Sequence, residues 1–522
     1  MPVNRITKFT FNGALDFRNK VMSLDTAKHI IAHLSAVTGK TIQFSNDMWA
    51  LIEDDDEAIE ILEEAYSRGW NSNEPDIIIT AASGYNGVVR INGADLQLTN
   101  ASGTDVWYGS AGNVTAMDDF LKHRNSTYYN STSTNIKSVR FGKNINNASC
   151  TTLFAAFNCT NSDVSLLEKI DVSHLNTSNV TTMQATFGDI SIATFGEGVL
   201  LVGYEDLNVV NVTNFNYCFG SVYLKNEVLD LHKWHVRSNA TIVSIFGGLG
   251  IGPITGVNRK VYYTPGYWAK DPMNNSNLAA DRVKPTVYPY HDITVAAYSG
   301  FNGKIYYDGS LVDMTYDSSL GIWYKDITAQ ISGNTLRGAF RASNNSTIAD
   351  NLLSISLNEI NAQDYSLDTF GFALGATSLR SADIEGLSGK IRTVAYQMFR
   401  GDTFLSNLYL PEFGAGYGYS ATFMSCSNLR YVEFKPNESA GDYFANIFNG
   451  CSGLIRISNL PSIANSIDTS AAFTGCSALT TIDSSGQISE TIDLSPCPLN
   501  IASAKVILSA LQTVTSETIT FS

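Results

Sequence analysis

The chain has 522 residues, enough for several domains of the usual ~100–200 residues each. Only 16% of the residues are charged, and asparagine, serine, threonine and glycine take their place, a composition that suits long neutral hydrogen-bonding surfaces. The formal net charge of -15, without a cluster of lysines and arginines, disfavours a nucleic-acid-binding protein, because phosphate contacts depend on such clusters.

The start of the chain and its cysteines indicate where the protein is made. Residues 1–17 contain neither the apolar stretch nor the cleavage site of a secretory signal, and no segment approaches the ~20 apolar residues that cross a bilayer. The seven cysteines are odd in number and form no CxxC pair, which argues against a disulfide framework and a zinc site. We therefore expect synthesis in a reducing cytoplasm and no membrane insertion.

Segments 15–45 and 492–522 match each other without gaps. Both predict strand, helix, strand, with an apolar helix face at three- and four-residue spacing. At the C-terminus this unit would close an array of stacked repeats, which needs a polar-faced cap. No array precedes the N-terminal copy, so residues 1–75 either pack on the following module as a relic cap or dock on a neighbouring subunit. The apolar faces comprise Ala27, Ile30, Ile31 and Leu34, and Ala504, Ile507, Leu508 and Leu511.

Two patterns invite a metal-binding interpretation. The acidic run from Glu53 to Glu57 lacks the spaced ligands and turn glycine of an EF-hand, so we interpret it as a solvated helix start, where the helix dipole favours carboxylates. His232 and His235 lie three residues apart and would face opposite sides of a strand. We predict no metal site and no cofactor.

A small β module occurs twice, at a constant offset of 216 residues. The dipeptides Asn92-Gly93 and Asp308-Gly309 follow the short segments VVRI and KIYY. They predict type I′ hairpins, because both central residues need positive φ. Each copy therefore predicts a meander of short antiparallel strands. In the Trp-Tyr pairs at 107–108 and 323–324, we expect the tryptophan inside and the tyrosine partly exposed.

Each module is followed by an array of repeats, most regular near the C-terminus. Short alternating segments begin every 24–26 residues, and a phenylalanine recurs every 25 residues with a cysteine three positions later. One strand and one return cannot bury an apolar face alone, so the units must stack, with the cysteines as apolar filler. Phe399 continues the row, with Asp402 in the position of the cysteine. The segments begin at Leu379, Leu405, Leu429, Leu454 and Leu479, and the row comprises Phe423, Phe448 and Phe473 with Cys426, Cys451 and Cys476.

These repeats resemble a known family. The phrases LEKIDVSHLNTSNVTTM and FxGCSxLxxI are similar to the BspA-like leucine-rich-repeat family. The resemblance covers roughly 135–260 and 350–522, and is looser in the first array, around Phe187, Phe219 and Phe246. It implies a mainly β fold with a few helices: leucine-rich-repeat solenoids of stacked parallel strands plus two small antiparallel β modules.

The repeats and modules together predict the domain organisation. Prolines at 265, 272, 285 and 289 interrupt the periodicity and mark a linker. The predicted parts are a terminal unit (1–75), β module 1 (76–118), array 1 (119–265), the linker (266–291), β module 2 (292–330) and array 2 (331–522) with its C-terminal cap (492–522).

No GxSxG, Walker, Rossmann or HExxH motif is present, so we expect no enzyme and no catalytic residue. The combination of repeats and terminal unit resembles virion proteins of tailed phages of gut bacteria. The resemblance implies a tail or head fibre that assembles with itself and other virion proteins and attaches to a host-surface protein or glycan. The alternatives are an auxiliary capsid protein, a BspA-like bacterial surface adhesin, and a glycan-degrading tailspike, which would need a catalytic cleft. Candidate surface contacts are Tyr108, Tyr324, Tyr409, Tyr417 and Tyr419.

Overall fold

The chain divides into two compact units: unit 1 (residues 1–227 and 234–254) and unit 2 (residues 228–233 and 255–522). Both consist mainly of short β strands. Among the described residues, no helix has the length and apolar character needed to cross a membrane. A computed structural model describes residues 10–521 except 54, 102, 122–130, 159–165, 189–197, 221, 227, 247–249, 252–258, 270–282, 394–395, 414–418, 437–442, 464–467 and 513–516.

Unit 1 begins with the predicted strand, helix and strand, followed by two further helices. Ser23 and Asp55 cap the first and third helices by accepting hydrogen bonds from backbone N–H groups. The third helix covers the apolar face of the first, so this segment has its own core. The elements are β1 (Leu15–Asp16), α1 (Leu24–Ala32), β2 (Lys40–Gln43), α2 (Asn46–Glu53), α3 (Asp56–Ser67) and β3 (Trp70–Ser72).

The first β module and the first array share one sheet. The strands of the module and the array are β4 (Ile77–Ala81), β5 (Val88–Ile91), β6 (Ala94–Gln97), β7 (Thr99–Asn100), β8 (Val106–Gly109), β9 (Ile136–Phe141), β10 (Lys169–Asp171), β11 (Leu200–Val202), β12 (Tyr223–Leu224) and β14 (Gly250–Ile251). Six of these strands form this sheet, whereas β5 pairs with β6 and β12 pairs with β14 in two separate two-stranded sheets. The sheet order is β11-β10-β9-β4-β8-β7. Strands β9 to β11 are parallel, as predicted for stacked repeats, whereas β4 runs antiparallel to β9 and β8.

Unit 2 repeats this plan and extends it. A six-stranded sheet of order β20-β21-β17-β23-β25-β27 joins the second module to its array, and the next three repeats form the parallel sheet β28-β29-β30. The elements are β13 (Val228–Leu231), β15 (Arg259–Tyr263), β16 (Val283–Val287), β17 (Ile293–Ala297), β18 (Lys304–Tyr307), β19 (Ser310–Asp313), β20 (Thr315–Asp317), β21 (Ile322–Lys325), β22 (Ile331–Gly333), α4 (Ile348–Asn351), β23 (Leu352–Leu357), β24 (Ala362–Asp368), β25 (Ser381–Asp383), β26 (Ile391–Thr393), β27 (Asn407–Tyr409), β28 (Tyr431–Glu433), β29 (Arg456–Ser458), β30 (Thr481–Ile482), β31 (Ile492–Leu494), α5 (Ile501–Ser509) and β32 (Ile519–Phe521). Strand β16 falls within the predicted linker and pairs in parallel with β15.

The duplication of the β module is confirmed down to the turns. Strands β5 and β6 pair antiparallel around Asn92-Gly93, and β18 and β19 pair around Asp308-Gly309. All four turn residues have positive φ, between +48° and +79°. Even the bulge repeats, since the register shifts between residues 80 and 81 of β4 and between residues 296 and 297 of β17.

Each module also repeats a contact between a glycine and the tryptophan. A Cβ atom at Gly303 would lie 2.2 Å from a ring carbon of Trp323, and Gly303 has φ of +66°.

We expect Gly303→Ala to destabilise unit 2 by about 2–4 kcal/mol, because the added methyl group overpacks the contact with Trp323 and alanine is strained in the left-handed backbone conformation. Gly309→Ala is the matched control: it has φ of +79° with nothing within 4 Å, and should cost only about 1–2 kcal/mol. Denaturant unfolding followed by tryptophan fluorescence measures both, and equal effects would contradict the packing argument.

The predicted phenylalanine row forms a continuous stack. Phe448 lies between Phe423 and Phe473, with ring centroids 5.5 and 5.7 Å apart. The cysteines behind them are buried, and each thiol donates to the carbonyl of the phenylalanine one repeat earlier: Cys426 to Phe399, Cys451 to Phe423 and Cys476 to Phe448. The prediction that these cysteines pack in the core is confirmed.

The backbone before each stacked phenylalanine is also repeated. The residue two positions earlier has positive φ, which lets the chain turn sharply into the next stacked side chain. None of these eight residues is glycine, so the conformation is imposed by stacking rather than by local preference. They are Ala155, Ala185, Tyr217, Ser244, Gln397, Ala421, Asn446 and Ala471.

Candidate functional surface

A row of five threonines crosses successive repeats of unit 1, and we call it the threonine row. All five side chains are exposed. Four of their hydroxyls donate to the backbone carbonyl of the threonine one repeat earlier, at 3.1–3.4 Å. The row comprises Thr115, Thr151, Thr181, Thr213 and Thr241.

Parallel stacking of the backbone fixes the spacing of this row. Parallel bridges connect Thr152 with Thr182, Thr182 with Asn214, and Asn214 with Thr241. The first three of these residues directly follow a member of the row, and Thr241 is itself a member. Neighbouring strands lie ~4.8 Å apart, so five threonines extend over about 19 Å. Four hydroxyls use their hydrogen on a backbone carbonyl, and the hydroxyl of Thr115 donates to the side-chain oxygen of Asn92 at 2.9 Å. The oxygen of each hydroxyl keeps lone pairs that can accept a hydrogen bond from a ligand.

The surroundings of the row are polar, and the carboxylate of Asp118 beside it accepts hydrogen bonds from Thr152 and Phe154. Asn179 and Asn211 donate from their side chains to carbonyls of the preceding repeat, and Gln184 accepts from Asn214. Tyr217 lies in the same repeat as Thr213 and is 49% exposed. Hydroxyls, amides and a partly exposed aromatic ring are the groups that contact sugars through hydrogen bonds and stacking.

The tyrosines predicted as surface contacts occupy different environments. Tyr108 and Tyr324 are half-buried, and the ring of Tyr324 stacks on His291 with centroids 3.6 Å apart. Tyr409 and Tyr419 are only 1% and 2% exposed, so the prediction that they lie on the surface is wrong. The amine of Lys260 lies 5.1 Å from the ring centroid of Tyr409, and the ring of Tyr419 packs edge-on against those of Phe413 and Phe434. The contact with Lys260 is distant in sequence, so local sequence does not show it. Tyr417 lies outside the described residues.

A buried charge cluster in unit 1 was not found from the sequence. The guanidinium of Arg140 contacts the carboxylates of Glu53 at 2.6 Å and Glu63 at 2.7 Å, and also that of Glu74. A carboxylate oxygen of Asp171, on the neighbouring strand β10, lies 3.8 Å from Nε of Arg140. One arginine therefore holds together α2, α3, the segment after β3 and the first strands of the array.

This cluster corrects one prediction and shows what the terminal unit contacts within the chain. Glu53 is buried rather than solvated, because its partner lies 87 residues away in sequence. Burial, reinforced by repulsion from Glu74 and only partly offset by Arg140, raises the pKa of Glu53 to about 8. Within one chain, Glu53, Glu63 and Glu74 contact Arg140, and Ala50 lies in a cluster with Ile78. These contacts connect the described part of residues 1–75 to the first module and array, as packing on the following module predicts.

Unit 2 contains a polar cavity of about 920 Å³ next to a second charged group. Glu385 and Lys390 line the cavity, together with amide and carboxylate side chains. Lys260 donates to Glu385 at 2.5 Å and to Asp383 at 2.8 Å. Although burial lowers the pKa of Lys260, the two carboxylates raise it above its ordinary value, so the amine stays charged. The cavity suits a small polar ligand rather than an apolar one.

Comparisons with known proteins find likeness only among solved structures. No protein-family model matches the chain. No curated protein sequence matches it either. A leucine-rich repeat protein from Eubacterium ventriosum ATCC 27560 is 14% identical, with 74% of this chain and 82% of that chain covered and a TM-score of 0.21. A TLR13–ssRNA13 complex is 10% identical, with 97% of this chain and 57% of that chain covered and a TM-score of 0.22. The repeat structure of this chain therefore rests on its own strand pairing.

Proposed function

We propose that the chain is a non-catalytic binding protein, built as leucine-rich-repeat solenoids, that binds a neutral glycan along the threonine row. The observation that carries the proposal is the alignment of five exposed threonines over successive repeats. A rigid, regularly spaced row of acceptors recognises an extended ligand with little loss of conformational entropy. Hydroxyl and amide side chains around the row favour sugar hydroxyls, and the carboxylate of Asp118 beside it repels phosphate or sulfate groups.

The double variant Thr181→Val and Thr213→Val tests this function. Valine keeps the branched shape and removes two hydroxyls, each of which contributes about 0.5–1.5 kcal/mol in a hydrogen bond. We expect binding to a neutral polysaccharide to weaken about tenfold, as measured by calorimetry on a panel of bacterial surface glycans. Thr99→Val, at an exposed threonine on β7 outside the row, should leave binding unchanged. Failure of every neutral glycan to bind would exclude the proposal.

We further propose that this binding serves attachment of a phage virion to its host. The support is the resemblance of the repeats and terminal unit, together with the neutral polar composition. In this setting the chain is a tail or head fibre that assembles with itself and with other virion proteins. Co-sedimentation with purified virions and immunogold labelling test the location. Virion association without glycan binding would favour an auxiliary capsid protein, and labelling of the bacterial surface would favour an adhesin.

A further inference from the structure

The two copies of the terminal strand–helix–strand unit have the same internal structure. Strand β1 pairs in parallel with β2, Leu15 opposite Ile42, and β31 pairs with β32 in the equivalent register, Ile492 opposite Ile519. Ser23 and Asn500 cap the two helices in the same way. The N-terminal copy is therefore a template for what can pack on the C-terminal copy.

The two copies bury different sides of their helices, about 100° apart around the helix axis. In α5 the side facing the array is buried, with Ile507 at 0% exposure, whereas its counterpart Ile30 is only half-buried. The side of the helix that is buried in the N-terminal copy is exposed in the C-terminal copy. Ile31 is 0% exposed beneath α3, but its counterpart Leu508 is 54% exposed.

The exposed side of α5 is a continuous apolar surface, which we call the α5 face. Among the described residues, nothing takes the place that α2 and α3 occupy on α1. In the N-terminal copy, Ile31 and Leu34, the counterparts of Leu508 and Leu511, lie in one core with α3. Leu24, the counterpart of Ile501, packs partly buried against that core. The α5 face comprises Ile501 (77% exposed), Leu508 (54%) and Leu511 (40%).

In the N-terminal copy, ion pairs between α1 and the start of α3 lie beside these apolar contacts. In the N-terminal copy, Lys28 of α1 contacts Asp55, the cap of α3, at 3.2 Å, and also Glu57 in the first turn of α3. The counterpart of Lys28 in α5 is Lys505, which is exposed and forms no ion pair with any described residue. A cation beside an apolar face thus complements a helix that begins with carboxylates, as α3 does.

We propose that the α5 face is a docking site for an amphipathic helix of another protein, with acidic residues in its first turn and small apolar residues at the spacing found in α3. The apolar positions would cover Leu508 and Leu511, and a first-turn carboxylate would pair with Lys505. This inference is independent of the proposed glycan binding, because the threonine row lies in unit 1.

A labelled peptide with the sequence of residues 46–72, which contains α2 and α3, serves as the probe. We expect it to bind the full chain with a dissociation constant on the order of micromolar, and Leu508→Asp to weaken binding at least about tenfold. Lys505→Glu should weaken it several-fold, and a Glu57→Lys peptide should restore binding to that variant. Ser509→Asp is the matched control, because its counterpart Ala32 remains exposed beside α3. Peptide binding that ignores Leu508→Asp would overturn the proposal.

A second experiment does not require the peptide to fold alone. Since Ser522 corresponds to Ser45 in the sequence match, residues 46–75 can be appended directly after Ser522 of a Leu508→Cys chain. We expect thiol labelling of Cys at this position to slow at least about tenfold on extension, by burial beneath the added helices. Unchanged labelling would overturn the proposal. So would a concentration-dependent dimer abolished by Leu508→Asp, because a second copy would then occupy the face.

Discussion

Arg140→Met is expected to destabilise unit 1 by about 3–5 kcal/mol, because removal of one partner leaves buried carboxylates without a counter-charge. Arg140 is only 4% exposed, and Glu53 and Glu74 are buried with it. Hydrogen exchange across unit 1 measures the effect without assuming that both units unfold together. Lys137→Met is the control on the same strand: its ion pair with Asp105 is solvent-exposed and should contribute less than about 1 kcal/mol. Equal losses in the two variants would show that the cluster does not hold unit 1 together.

The same variant should show a characteristic pH dependence. The pKa of Glu53 is raised from 4.5 to about 8, so the folded state holds this proton more tightly than the unfolded state. The resulting stabilisation is fully present below pH 4.5 and is lost as the pH rises through 8. Loss of Arg140 removes the attraction that partly offsets burial. Below pH 8 both folded states keep this proton, so the difference in melting temperature between parent and variant should stay constant, and it should widen as the pH rises above 8 because the parent carboxylate then ionises beside Arg140. A difference that does not change above pH 8 would contradict this account.

Local and periodic features of the fold could be predicted from the sequence. Asn92-Gly93 and Asp308-Gly309 determine their hairpins through backbone preference alone, and the 25-residue spacing of Phe423, Phe448 and Phe473 requires equivalent side chains to stack. The capped helix of the terminal unit follows from spacing within nine residues. In each case the deciding contacts are near in sequence or repeat regularly.

Features that depend on irregular long-range contacts could not be predicted. Glu53 is in an ordinary acidic helix segment, and nothing nearby reveals Arg140. Tyr409 looks like a surface tyrosine until adjacent elements cover it. The threonine row was missed because its spacing varies from repeat to repeat. A usable signal did exist, since Thr151, Thr181 and Thr213 each precede a stacked phenylalanine by six residues.

Phe448→Ala should be the most damaging single change in unit 2. Its ring is fully buried between Phe423 and Phe473, so truncation removes stacking on both sides and leaves a cavity. Substitutions of this kind cost about 3–5 kcal/mol. The loss of stability should extend beyond one repeat, because each repeat is stabilised by the repeats that it contacts rather than by a shared globular core.

Hydrogen exchange resolves how far this damage spreads. Protection should fall first in β28, β29 and β30, which form one parallel sheet around the truncated ring, and later in β17 and β23. Phe404→Ala, at a phenylalanine that is 52% exposed, is the control and should cost less than about 1 kcal/mol. A uniform loss of protection throughout unit 2 would mean that the array unfolds as one cooperative block. Graded loss would show that each repeat is stabilised mainly by the two that it contacts.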